Sequence, residues 1–464
     1  MHSPWISTLP FIITMAAAIW SKKILPSLLL GLLVGGYLLN PTPIGGLESA
    51  VDNMVSTLSN KDNLQVILFL YLFSGFIALI RRAGGIKAFS NFVSKYVHTE
   101  RGVLYTLWAL IPVTFIDCGF RVVGAGSIIR PLTEKNKIEK ERLAFVLNNT
   151  ASPMIEMIPI ATTFVGFNIA NIGLGLKAAG VADHQSAYSV WLHAIPFEFF
   201  SIVVLLITFS SIFFEWKRKR PHSKLPPVKP NHQGAKMMDM SMTDETPEIK
   251  PRIINLLLPM ILVVSLSIFF FWHFETVPNK AMLVALFLSL LITVALFFSQ
   301  KYPLTNMIKD IIAGGNDLMK IIVILVLAWS LGLISQELHL SQFVQKEFGA
   351  SLPSWSLPVS LFLLSSAVTY FIGSGWAAAA LIMPFAISLA VAGSAGIPIC
   401  VGAVITGGTF GDVTSPVAGM TNMASHVAGA DQIRYLKYAT PYNLSALVLA
   451  ALLFLIFGLT EAWK

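Results

Sequence analysis

Charge is what this chain has least of. Only 12% of its 464 residues are Asp, Glu, Lys or Arg, about half the ~25% usual for soluble domains, and that scarcity excludes a solvated globular surface. Cysteine is nearly absent. Cys118 and Cys400 both sit in apolar surroundings, so there is no disulfide framework and no zinc-ligand spacing. The nine histidines form no His-Glu-x-x-His pattern, which leaves no sequence basis for a resident metal or cofactor. No basic region precedes the first apolar stretch, residues 5–20; Lys22 and Lys23 follow it instead. It lacks the layout of a removable leader and is predicted to be a first span with its N-terminus outside.

Hydrocarbon is abundant: 55% of the residues are hydrophobic. Apolar runs at 64–80, 190–214, 253–272, 282–298, 321–334 and 444–459 approach or reach the ~20 residues that cross ~30 Å of bilayer core. The fold class is therefore an all-α polytopic membrane protein of the cell membrane, with the lipid bilayer as its first partner. The net charge of +8 lies in the loops, as the positive-inside rule requires, and gives no reason to expect nucleic acid.

One segment, 215–252, is plainly not membrane. It opens Glu215-Trp216-Lys217-Arg218-Lys219-Arg220 and continues through Pro221, Pro226, Pro227 and Pro230. It has too few apolar residues to bury and is predicted to be a flexible cytoplasmic linker between two halves, 1–214 and 253–464.

The halves share a broken hydrophobic pattern. The first copy reads Phe115-Ile116-Asp117-Cys118-Gly119-Phe120, followed by Thr150-Ala151-Ser152-Pro153. The second reads Phe371-Ile372-Gly373-Ser374-Gly375-Trp376, followed by Thr414-Ser415-Pro416. Ser90-Asn91-Phe92-Val93-Ser94-Lys95 and Ser341-Gln342-Phe343-Val344-Gln345-Lys346 precede them in parallel. Four landmarks in one order point to an internal duplication. Non-helical backbone at membrane depth survives only where protein buries it or water reaches it, and matched interruptions mark the binding site of a secondary transporter.

Length decides the topology. Asp117 and Gly119 divide segment 103–131 into arms of about 14 residues, ~20 Å as helix, too short to cross. A re-entrant hairpin from the cytoplasmic side fits, with segment 354–391, broken at Gly373-Ser374-Gly375, as its counterpart from outside. Segments 143–170 and 397–428 are too long for one straight helix. Each carries a polar break, Asn148 to Pro153 and Gly407 to Pro416, so both read as spans unwound near the middle. The prediction is an inverted repeat of five crossings each plus one re-entrant hairpin per half. Residues 47–58 and 304–312 read as short interfacial helices, and both termini fall outside. Most of the 32 Lys and Arg are then cytoplasmic, with Lys61, Lys177, Lys280, Lys346 and Lys464 outside and Arg121 within the membrane.

Charge at membrane depth costs roughly 2.5–3.5 kcal/mol per residue on insertion scales, so the acids there are the candidates for function: Asp117, Glu156 and Asp412. Glu198, His193 and His426 are weaker, with Glu198 and His193 read as facing an interface or a neighbouring helix near a span end. A carboxylate away from water holds a proton more readily and can exchange it for a cation; the plain alternative is a buried ion pair with Arg121. Arg121 has a second reading, in which its fork binds a substrate carboxylate. Sodium prefers oxygen ligands, and chain breaks supply them. The candidate substrate and ion site is Asp117, Cys118, Gly119, Arg121, Asn149, Thr150, Ser152 and Glu156 in the first half. In the second it is Gly373, Ser374, Gly375, Asp412, Thr414 and Ser415. Asp117, Asn149, Thr150, Asp412 and Thr414 are the expected sodium ligands.

These residues resemble the NhaC family of sodium/proton antiporters within the larger ion-transporter superfamily. The likeness is carried by Gly411-Asp412 with Ser415-Pro416, by Asp431-Gln432-Ile433 and Thr440-Pro441-Tyr442, and by residues 127–159 with their Thr150-Ala151-Ser152-Pro153 break. The resemblance implies a non-enzymatic secondary transporter with alternating access and sodium as coupling ion; it leaves a homodimer open. Cys118 stands where such proteins tend to carry a second acid, and Val417-Ala418-Gly419 where another Asp often follows. Sodium- or proton-coupled carriage of a small amino acid or carboxylate therefore stays beside sodium/proton exchange. An intramembrane aspartyl protease using Asp117 and Asp412 is a remote alternative, because Thr409-Phe410-Gly411-Asp412 lacks the first glycine of a Gly-x-Gly-Asp motif.

Overall fold

The computed structural model describes residues 4–461 apart from 94, 98, 116, 127, 130, 131, 133–137, 161, 183, 184, 214–248, 275–277 and 349–352. The linker lies outside the described residues except for 249–252, and Ile116 of the first motif lies outside them too. Among the described residues all regular structure is helical. Among the described residues eight helices are long and apolar enough to cross a membrane, or nine if the bent pair Ala187–Phe197 and Phe199–Ser210 is one span.

The first half runs α1 (Leu9–Ser21), α2 (Ile24–Leu39), α3 (Gly45–Ser59), α4 (Lys61–Arg82), α5 (Gly85–Val93) and α6 (Glu100–Ala109). After the first break come α7 (Lys140–Asn149), α8 (Thr163–Ala178), α9 (Ala187–Ala194) and α10 (Phe199–Ser210). The second half runs α11 (Ile254–Phe274), α12 (Pro278–Ser299), α13 (Leu304–Asp317), α14 (Met319–Glu337), α15 (Leu340–Phe348), α16 (Leu357–Ile372), α17 (Gly375–Ala392), α18 (Ile397–Thr414), α19 (Gly419–Ala428) and α20 (Gln432–Thr460). The order of elements is the same in both. Each has two apolar helices, a helix with an apolar stripe, a long apolar helix, a short one, two arms around a tip, a broken pair and a closing span. The stripe helices α3 and α13 expose Leu47, Val51, Val55 and Leu58, and Leu304, Ile308 and Ile312. A four-residue repeat of exposed apolar side chains is one helix face.

The halves are interleaved. α13 packs on α4, α14 on α2 and α3, α17 on α8, and the first broken span α7 on α19 and α20. Lipid tails are as apolar as Leu, so hydrogen bonds between helices carry part of the cohesion, each contributing roughly 0.6–2 kcal/mol. Arg142 Nη1 pairs with Glu100 at 2.7 Å while its Nη2 donates to Ser211 O at 2.8 Å, joining α6, α7 and the end of α10. Ser201 N and Oγ reach Thr406 Oγ1 at 3.0 and 3.1 Å, tying α10 to α18.

The breaks follow local chemistry. α6 stops at Ala109, ahead of a single turn at Ile111–Thr114 that starts with Pro112 at its N-terminus. At the first tip Asp117 is an N-cap, accepting from Phe120 N at 3.0 Å; the chain resumes as Cys118–Phe120 and a π turn, Arg121–Ala125. At the second tip Gly373 ends α16 at φ 75°, and Ser374 caps α17 through Ala377 N at 3.3 Å. A side chain at Gly373 would also meet Val417 O at 2.6 Å. The first span unwinds at Thr150-Ala151 and again over residues 156–160. The second break is shorter than its sequence suggests. α18 stays helical through Gly407-Gly408 and Gly411-Asp412 to Thr414, and unwinding starts only at Ser415, whose ψ of 134° is what a following proline imposes. Tertiary packing overrides the helix-weakening glycines: a side chain at Gly407 or Gly411 would collide with Phe362 O or Thr369 of α16.

Candidate functional site

The two breaks meet. Asp412, on the last turn of α18, accepts from Gly375 N at the second tip at 2.8 Å and from Ser152 Oγ of the first broken span at 3.4 Å. It is 3% exposed. Gly375 is required by proximity: a Cβ there would stand 3.0 Å from Asp412 Oδ2 and 3.1 Å from Gly408 O. One turn past Ser152, the buried Glu156 receives the hydroxyl of Thr409 from α18. Contacts across 260 and 253 positions of sequence thus join the two acids, with a hydroxyl from the opposite half on each.

Two further groups extend the pair. Cys118, buried at the first tip, lies near Ser152 and is an electrostatic neighbour of Asp117, Asp412 and Glu156. Glu198 is an electrostatic neighbour of Glu156. It sits at the 45° bend between Ala187–Phe197 and Phe199–Ser210. It is fully buried, and neither of its carboxylate oxygens has a hydrogen-bond partner among the described residues. Of the two orientations read from sequence, an interface or a neighbouring helix near a span end, its full burial excludes the interface. The signal was present: Pro196 stands two residues before it, the proline-plus-acid signature of the other breaks. Thr409 was also missed, and its direction could be read only once α18 and the Glu156 segment were placed side by side. His193 and His426 are exposed, and neither joins the site.

Asp117 is half-buried and closer to the edge of the protein. Thr163 Oγ1 donates to its Oδ2 at 3.1 Å. It lines a cavity of about 40 Å³, room for a water or a small ion, together with Gly119, Arg81 and Asp317.

Several expected ligands are committed elsewhere. Arg121 is fully buried and pairs with no acid among the described residues. Its Nη1 donates to Thr114 Oγ1 at 2.9 Å, and its Nη2 to Leu107 O at 2.6 Å and Thr150 Oγ1 at 3.0 Å. Neither the ion pair with Asp117 or Glu156 nor an open fork for a substrate carboxylate is present, because neutral oxygens already fill the fork. Thr150 accordingly faces Arg121 rather than an open ion position. Asn149 Nδ2 donates to Thr208 Oγ1 and Asn443 Oδ1 at 3.2 and 2.9 Å, leaving its buried Oδ1 without a partner. Thr414 Oγ1 accepts from Asn443 Nδ2 at 3.2 Å, and Ser415 Oγ donates to Tyr370 O at 2.6 Å. Ser415 thus satisfies backbone groups around the break, the structural alternative for a hydroxyl beside a proline, while Thr414 is taken by a side chain of α20. Asn148 Nδ2 donates to Tyr435 OH at 2.7 Å and Thr421 Oγ1 to Asp412 O at 2.9 Å, so α7, α18, α19 and α20 are stitched around the acids.

A large cavity of about 780 Å³ opens elsewhere, between α4, α8 and α14. Asn60, Asp62, Lys177, Gln185, Tyr188 and Trp329 are among its lining.

Known proteins share both sequence and fold with this chain. The profile of the Na+/H+ antiporter family matches residues 157–459, a stretch that includes Glu198, Thr409 and Asp412. An uncharacterized protein of Haemophilus influenzae is 25% identical over 99% of this chain and 91% of its own length. The Na(+)/H(+) antiporter NhaC of Alkalihalophilus pseudofirmus is 29% identical over 110 residues, 24% of each protein. Among solved structures, Neisseria gonorrhoeae MtrF, described within a class of antimetabolite efflux pumps, superposes with a TM-score of 0.59 at 15% identity. It covers 98% of this chain and 95% of its own. The Alcanivorax borkumensis YdaH transporter gives 0.53 at 13% identity over 89% and 88%. Those two likenesses concern the fold. On the profile match, this multi-pass membrane protein belongs to the Na+/H+ antiporter family.

Proposed function

We propose that the protein is an NhaC-like secondary transporter that exchanges sodium for protons at the acid pair Asp412 and Glu156. The observation that carries this reading is the junction itself: the two breaks, one from each half, bring Asp412 and Glu156 together with Ser152, Thr409 and the Gly375 amide. The oxygens of Asp412, Glu156, Ser152 and Thr409 form the set a hard cation takes as substrate. When the cation leaves, the same carboxylates accept protons. Two carboxylates near each other and away from water do not both stay charged without a counter-ion, so loading the pair with sodium and loading it with protons are mutually exclusive.

Access follows the acids. The cavity at Asp117 supports entry from the side of the first tip, which the charge pattern assigns to the cytoplasm, with Cys118 and Ser152 between it and Asp412. Glu198, next to Glu156, adds a third acid to the series. Because each tip rests on a broken span, a small shift of either half opens the pair to one side and closes it to the other, as alternating access requires. The inverted arrangement of the halves belongs to this proposal, as do the cell membrane as its location and the outside placement of both termini. So does a homodimer.

The test is exchange in proteoliposomes. A sodium gradient imposed across vesicles holding the purified protein and a pH-sensitive dye should move protons against the sodium flow with no organic solute present. Absence of that proton movement would refute exchange. The 780 Å³ cavity favours a second reading, since volumes of ~300–1,000 Å³ hold organic ligands: sodium- or proton-coupled carriage of a small amino acid or carboxylate. That reading predicts proton or sodium movement only when such a solute is added.

A further inference from the structure

Arg121 has no part in the exchange just described, yet it is fully buried, at 0% exposure. Its surroundings are chemically specific. Thr114 Oγ1 donates its own proton to Leu110 O at 2.8 Å, and Thr150 Oγ1 donates to Val146 O at 2.7 Å. A hydroxyl has one proton, so toward Arg121 both can only accept. With Leu107 O they give three neutral oxygens converging on the guanidinium, drawn from the first arm and the first broken span. No carboxylate stands within 4.0 Å of it among the described residues, and its Nε has no partner. Neutral oxygens gathered from a tip and a broken span are what a hard cation is bound by. Here a side chain occupies the middle.

The second half differs at the same turn. After its tip the chain continues Ala377, Ala378, Ala379 and Ala380, with no cation. There the broken span presents a carboxylate, Asp412, to the tip amide, where the first presents Asn149 at the matching distance before Ser-Pro.

We propose that Arg121 is a resident cation that permanently fills the ion position of the first half, so that only the second half, at Asp412, exchanges its ion. The first tip and the first broken span are then held together by a charge that never leaves. The second tip and second broken span are held only while the acid is loaded. The second clause rests on the exchange reading; the requirement for a fixed charge at position 121 does not.

Two full-length variants test it: Arg121→Gln, which keeps hydrogen bonding and loses charge, and Arg121→Lys, which keeps charge. Arg121→Gln is expected to melt below the parent and to exchange at least about tenfold more slowly, the scale of a lost charge-assisted hydrogen bond. Millimolar guanidinium, or excess sodium, should raise both values again. Arg121→Lys should stand nearer the parent in both. An Arg121→Gln protein that equals the parent, or one at least as good as Arg121→Lys that ignores both cations, overturns the proposal. If neither variant can be purified, a Lys yield in membranes no better than the Gln yield overturns it, and a better one supports it. The melting readout needs no transport, so failure of sodium/proton exchange in the parent leaves it intact.

Discussion

Replacing Asp412 by asparagine separates what the acid does for folding from what it does for transport. The side chain keeps its shape: the amide oxygen can still accept from Gly375 N, now 2.8 Å away, and the NH₂ can face Ser152 Oγ at 3.4 Å. Folding loses the charge assistance in those contacts, at most about 2 kcal/mol if a bond of ~1.5–3 kcal/mol becomes one of ~1. It regains the cost of placing an ionised Asp at membrane depth, roughly 2.5–3.5 kcal/mol. The two nearly cancel, so Asp412→Asn should melt at or slightly above the parent temperature. Transport has no such compensation, because an amide neither releases a proton nor supplies the anionic oxygen. Coupled exchange should vanish. So should sodium-dependent stabilisation, which for one site in the parent reaches about 2.7 kcal/mol at a hundred times its dissociation constant. The assay pairs melting in detergent across a sodium titration with dye-reported proton flux in vesicles. Parental proton flux from a folded Asp412→Asn protein would refute the placement of the ion at this acid. A large fall in melting temperature would show that the carboxylate is structural.

Other substitutions probe the supports. Gly375→Ala places a methyl 3.0 Å from Asp412 Oδ2 and must lengthen the 2.8 Å contact, so exchange should fall about tenfold or more; unchanged exchange in vesicles would mean the tip does not touch the loaded acid. Thr409→Val strips Glu156 of its hydroxyl donor and should cost about 1–3 kcal/mol on a melting curve, with Thr409→Ser restoring it. Glu198→Gln removes no hydrogen bond, since neither oxygen has one, so its melting temperature should hold while the pH profile of exchange shifts. An unaltered profile would remove Glu198 from the proton path. Because cation and proton compete for one acid pair, half-saturation for sodium, read from initial rates, should rise as pH falls, and a pH-independent value would argue for separate sites.

Much of this was legible in the sequence because the bilayer forces it. Apolar length gave the helices, and proline with Ser or Thr marked the breaks at Ser152-Pro153 and Ser415-Pro416. Asp412 stood out as a charge in a hydrophobic segment, and pairing of the motifs put the two tips in equivalent places. What misled was local propensity read without neighbours. Gly407, Gly408 and Gly411 look like helix breakers, yet Gly407 and Gly411 are where α16 approaches α18 closely and Gly408 is where Gly375 of the second tip does, so Asp412 sits on an intact turn. Thr150, Thr414 and Ser415 have the right atoms for sodium, but a hydroxyl's single proton and its few lone pairs are spent by whatever lies nearest. For Thr150 that is Arg121, and for Thr414 it is Asn443. Such choices depend on rotations of one helix against another, which periodicity does not encode.

The arrangement also argues about how the halves divide their work. On the duplication that the paired motifs predict, a site built twice would ordinarily bind twice, and the first half holds oxygens suited to it: Leu107 O, Thr114 Oγ1 and Thr150 Oγ1. A guanidinium among them converts a binding position into a fixed joint. The second half keeps an acid, a bare tip amide at Gly375 and alanines at the following turn, so its joint can loosen when the charge on Asp412 changes. Ser152 is where the two meet, because it belongs to the first broken span and yet hydrogen-bonds to the second half's acid. A rigid first break carrying Ser152 and Glu156 then serves as the fixed wall against which Asp412 and its tip move. On that view the direction of access is set by the state of one carboxylate pair, and not by agreement between two ion sites.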